Sequence, residues 1–168
     1  LRDPKLVQAA RDLFHSALMQ SILRAPTAAD KVLFQHPQKL YPLHPLSLAA
    51  LAIVSKRYGQ SERSFHAFLN SNEPAGLRDF AQVQAAEERP WYRLPQVFDY
   101  LASGNGLRFR DLAAERRWAF ALTSVERQAR DEDALLALKA IAVLELVQVP
   151  LALRITPELV AFALDRSE

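Results

Sequence analysis

Cysteine is absent from this 168-residue chain, which excludes a disulfide framework and a thiolate metal site. That absence agrees with a reducing compartment, and the cytoplasm is the expected location. Glycine is almost as scarce, with Gly59, Gly76, Gly104 and Gly106 the four present. None precedes a Lys-Ser/Thr pair, so no phosphate loop can be written, and the four cannot supply the Gly-x-Gly-x-x-Gly of a dinucleotide fold. Long apolar runs are missing too. The longest, Leu48 to Val54, is far short of the ~20 residues a membrane-spanning helix needs. The single methionine, Met19, lies within a helical pattern and the chain opens on Leu1, so it reads as an excerpt of a longer polypeptide.

What is present belongs to a globular domain: half the residues are apolar and 24% are charged. Net charge is only +2, with arginine outnumbering lysine sixteen to five. Opposite charges interleave, as from Arg110 to Arg117, and mixed charge along a helix reads as a solvated face rather than a phosphate-binding stripe.

Ten prolines punctuate helical periodicity. Asp3-Pro4 is an N-cap followed by proline at the first helical position, and Leu6, Val7, Ala10, Leu13, Phe14, Ala17 and Leu18 then predict a helix over 4–24. Thr27 caps a short helix through Phe34, and Pro37, Pro42 and Pro45 make 35–45 a structured loop. The stretch from Pro45 to Gly59 is apolar nearly all round, which predicts a central helix. Phe65, Phe68 and Leu69 predict the next helix, and others follow over 77–87 and from Pro95 to the turn Ser103-Gly104-Asn105-Gly106. A longer helix is expected over 110–129, then a mostly buried one over 133–147 ended by Pro150. A short extended piece at 151–155 leads to a final helix opened by Thr156-Pro157-Glu158. The expected fold is all-α or nearly so: a multi-helix orthogonal bundle whose C-terminal part is winged-helix-like with at most a short β piece. Its expected division is a helical bundle over 1–106 and a winged-helix-like unit over 107–168, which can pack as one domain.

Catalytic constellations are missing. No two of His15, His36, His44 and His66 have the i, i+4 spacing that puts two imidazoles on one helix face toward a metal. His44, at the opening of a helix, reads as a capping or backbone-bonding residue. Glu87-Glu88 and Asp131-Glu132-Asp133 sit at helix ends, where the dipole accounts for them. One stretch stands apart, Arg57-Tyr58-Gly59-Gln60-Ser61-Glu62-Arg63-Ser64, which gathers guanidiniums, an amide and hydroxyls around a helix-to-helix turn. It reads either as an anion-binding turn or as a helix cap at Ser61 with local ion pairs.

The run Tyr41-Pro42-Leu43-His44-Pro45-Leu46, continued by Arg57 to Pro74, resembles a segment of large bacterial P-loop ATPases of the AAA+/STAND kind, some of them in phage-defence loci of BREX type. The helix over 134–144 and Thr156-Pro157-Glu158-Leu159-Val160 are similar to a later part of the same proteins. Ser61 stands where that family usually has Asn, and Phe65-His66 replaces its Leu-Phe. The resemblance implies a helical lid or adaptor, non-catalytic alone, beside a nucleotide-binding core of the same polypeptide. It implies no cofactor in this segment and ATP with Mg in the parent, with Arg63, Arg57 and Gln60 as phosphate contacts. Two alternatives are weighed. Trp91, Tyr92 and Phe98 near a proline-rich turn suggest a protein-interaction domain. A DNA-binding winged helix has poor material, since 156–168 holds one basic residue, Arg166, beside three acidic ones. No membrane contact is expected.

Overall fold

The computed structural model describes residues 4–16, 19, 36–58, 63–70, 72–83, 91–103, 109, 111–151 and 154–165. Among them are eight α-helices and no strand: α1 (Pro4–Phe14), α2 (Pro45–Tyr58), α3 (Arg63–Asn70), α4 (Leu77–Val83), α5 (Leu94–Ala102), α6 (Leu112–Gln128), α7 (Glu132–Leu151) and α8 (Pro157–Ala163). The fold is all-α. A 3₁₀ turn, Pro37–Lys39, packs against α1.

Caps fix the later helices where the sequence places them. The Asp111 carboxylate accepts from Ala113 N–H at 2.9 Å, Asp131 from Ala134 N–H at 2.7 Å, and the Thr156 hydroxyl from Leu159 N–H at 3.3 Å. Each satisfies one of the donors a helix start leaves unpaired, worth ~1 kcal/mol. Three expectations need correction. The first helix stops at Phe14, and just beyond it the Ser16 hydroxyl accepts the Met19 N–H at 3.3 Å. Pro150 does not end α7, which continues to Leu151. The missing proline N–H forgoes a single bond, to the carbonyl four residues back, one residue before the helix stops. Residue 151, expected in an extended piece, is therefore helical. The proposed helix at 27–34, Gly59, Ser61, Glu87-Glu88 and the Gly104-Asn105-Gly106 turn lie outside the described residues.

The hub of the molecule is α7 rather than α2. It packs against α2, α5, α6 and α8, and Ala140, Val143, Leu144 and Val147 are fully enclosed. Burial of the valine and leucine side chains among them contributes ~1.5–3 kcal/mol each. On α2, by contrast, Pro45, Leu46, Ala50, Leu51, Val54 and Tyr58 face inward while Ala52, Lys56 and Arg57 face out. An apolar sequence all round does not make that helix central, because alanines on the outer side cost little to expose.

A junction at Leu43 and Tyr92 ties two loops together. Tyr92 N–H donates to the Pro42 carbonyl at 2.7 Å, and His44 N–H donates to the Tyr92 carbonyl at 3.1 Å, forming an isolated parallel bridge beside the cis Tyr41-Pro42 peptide. The Tyr92 ring, 0% exposed, meets Phe68 and Phe80 edge-on at 5.3 and 5.1 Å. Its hydroxyl donates to the Ala75 carbonyl at 2.6 Å, with the Gln96 carbonyl 3.0 Å away. Ala75 has a φ of 58° and is held there by that bond and by its own N–H to Asp79 at 2.9 Å. Trp91 and Phe98 are buried as well, at 7% and 5% exposure. The three aromatics that suggested an interface are core residues: Trp91 packs against Tyr41, Tyr92 against Phe68 and Phe80, and Phe98 against Trp118 of α6.

Candidate functional site

The outer end of α2 carries Lys56, Arg57 and Tyr58 in its last turn, a placement that suits cations at a helix C-terminus. The Tyr58 ring turns inward and packs at 5.1 Å against Phe109, while the Arg57 guanidinium stays exposed with its carbon 5.6 Å from the Tyr58 ring centre. Facing this turn, α6 presents Arg117 and Ala121, one helical turn apart, and α7 presents Ala142, Glu145 and Leu146. These side chains surround an open groove of about 200 Å³, floored by the buried Trp118 indole.

Among the described residues neither Arg57 nor Arg117 has a carboxylate partner, in contrast to Arg93, paired with Asp165, and Lys139, paired with Asp99. Two guanidiniums without an ion pair, against the single Glu145 carboxylate of the same groove, leave it net positive and able to receive an anion, since each offers planar donors suited to phosphate or carboxylate. The size decides what the groove holds. Pockets that enclose a whole small ligand begin at ~300 Å³, so this one suits one anionic group and not a nucleotide.

The expected phosphate contacts fare unequally. Arg57 reaches the groove. Arg63 is the first residue of α3, with its side chain outside those described, and Gln60 is outside the described residues altogether. Arg117 and Glu145 were not anticipated, since mixed charge over 110–117 reads as an ordinary wet helix face. The available signal was the Trp118 stripe: a residue adjoining a buried tryptophan sits at the rim of whatever that tryptophan packs under.

A second polar site lies at the start of α2. His44 is fully buried, its Nδ1 accepts from Leu46 N–H at 3.3 Å, and its ring stands edge-on to Phe162 of α8 at 5.0 Å. The backbone role expected for it holds. Burial, reinforced by the Arg93 cation and opposed by the Phe162 backbone, lowers its pKa to about 3, so the ring is neutral at ordinary pH. With Nδ1 accepting, the proton belongs on Nε2, which has no partner in hydrogen-bonding geometry; the buried Ser47 hydroxyl and Arg93 Nε are likewise unpaired.

Among the described residues no three of His, Asp and Glu converge as metal ligands, and no helix is long and apolar enough to cross a membrane. No protein-family model, no curated protein and no solved structure matches the chain.

Proposed function

We propose that this chain is a non-catalytic helical accessory unit, a lid or adaptor, of a larger bacterial P-loop ATPase, and that Arg57 meets a phosphate of nucleotide held by a neighbouring core. The observation that carries this reading is that Arg57 and Arg117, neither ion-paired among the described residues, open to one small groove. The groove is too small for a nucleotide and well matched to one phosphate, which is what a unit that senses rather than holds nucleotide requires. The enclosed α7 hub supports the rest of the reading, since a rigid body transmits a displacement at its rim without deforming.

The test uses the full-length parent protein. Arg57→Ala and Arg63→Ala each lower nucleotide-dependent activity by about tenfold or more, the scale of losing one charged contact to a transferring phosphate, and leave the chain folded. Unchanged activity in both variants overturns the phosphate role. ATPase activity in the isolated 168-residue chain overturns its accessory character.

A further inference from the structure

The groove does not end at Arg117. Past Ala121, Ala142 and Glu145, which line both spaces, it opens into a shallow trough of about 180 Å³ between α6 and α7, walled by Phe120, Val125, Leu138 and Ile141. Phe120 is 72% exposed at its rim. A lone exposed aromatic is unremarkable on a protein surface. This one adjoins an apolar trough and stands three residues from an unpaired arginine, on the same side of α6 and ~4.5 Å along its axis.

We propose that the trough docks an amphipathic helix of a partner protein, which inserts a large apolar side chain beside Phe120 and Ile141 and sets a carboxylate against Arg117 one helical turn away. Charge complementarity defines the occupant further. The α6 wall ends in the Arg117 cation and the α7 wall in the Glu145 carboxylate, both exposed and neither ion-paired among the described residues. The docking helix therefore carries an acidic flank toward α6, a basic flank toward α7 and an apolar ridge between them. Helix-in-groove recognition works this way: apolar anchors at i, i+3 or i+4 supply affinity and flanking charges fix direction. The docking site shares Arg117 and Glu145 with the groove beside Arg57 and is set apart from the phosphate contact by the trough itself, which Arg57 does not line.

The probe is a fluorescein-labelled designed helix of about 15 residues. It has a leucine ridge, glutamate one turn from the anchoring leucine on one flank and lysine on the other. Its anisotropy is followed on titration with the chain. Binding is expected to weaken at least tenfold in Phe120→Ser and in Arg117→Glu, and a peptide with its glutamates replaced by lysine restores binding to Arg117→Glu alone. Phe120 and Arg117 are exposed, so both variants keep the parent melting temperature, which is measured alongside. Equal binding to the parent and both variants, or no rescue by the swapped peptide, overturns the proposal. Self-association of the chain that Phe120→Ser abolishes, with no peptide binding, also overturns it and assigns the trough to a second copy. Pyrophosphate titration of Phe120→Ser reports on the Arg57 reading separately, since the trough variant leaves that guanidinium in place.

Discussion

The two flanks of α7 differ in how they treat polar groups. Toward α5, Lys139 is ion-paired with Asp99 at 2.7 Å and lies 5.9 Å from the Phe98 ring centre. Nearby, the Tyr100 hydroxyl donates to Glu73 at 2.8 Å, and burial together with that carboxylate raises its pKa. Six residues further along α7, and so about a third of a turn short of realignment, Glu145 faces the groove with Arg57 and Arg117 and no ion pair among the described residues. On that flank the largely buried Lys139 ammonium keeps a carboxylate partner, which offsets the cost of its partial desolvation. The open flank leaves its charges in water, where they cost nothing to the fold and stay available to a partner. Stability and recognition are thus assigned to different faces of one helix.

Substitutions on the closed side break this comparison most sharply. Tyr92→Ala is expected to destabilise by about 3–5 kcal/mol in urea unfolding, because it empties a fully enclosed aromatic position and abandons the Ala75 carbonyl. Acid provides the next largest effect. His44 has a folded pKa of about 3 against an ordinary 6.5, so between those values the unfolded chain binds the extra proton. Stability contributed by the neutral ring is complete above pH 6.5 and falls as pH drops toward 3, by about 1.4 kcal/mol per pH unit. His44→Gln flattens that segment of the stability curve measured by denaturant unfolding from pH 3 to 7. Gly76→Ala costs about 1–3 kcal/mol, since the added Cβ meets the Glu73 carbonyl oxygen at 2.9 Å, a backbone atom fixed by the Gly76 N–H bond to it. On the open side, Arg57→Ala and Phe120→Ser each change stability by less than about 0.5 kcal/mol, read from the same unfolding curves.

Helices were legible in the sequence where caps and periodicity agree. Asp131 and Thr156 mark starts that the structure reproduces, because each local signal coincides with the packed stripe behind it. The end of α1 was not legible, since the apolar pattern continues past it. Nor was the centre of the fold. Apolar content favoured α2, whereas the hub is set by how many neighbours a helix meets, and that depends on tertiary arrangement. Trp91, Tyr92 and Phe98 show the same limit: aromatic rings beside prolines look exposed in one dimension and prove to be core. Of the groove, Arg57 was identified from its polar turn. Arg117 and Glu145 come from segments 60 and 88 residues further on in the numbering, and nothing local joins them to it.

The division between a closed flank that folds the chain and an open flank that serves a partner is tested most directly by one triple variant, Arg57→Ala with Arg117→Ala and Phe120→Ser, in equilibrium urea unfolding. The slope is expected to be unchanged and the unfolding free energy to stay at the parent value to within about 0.5 kcal/mol. A loss of several kcal/mol would show that these side chains hold the bundle together, and the account of an open flank reserved for recognition would fail.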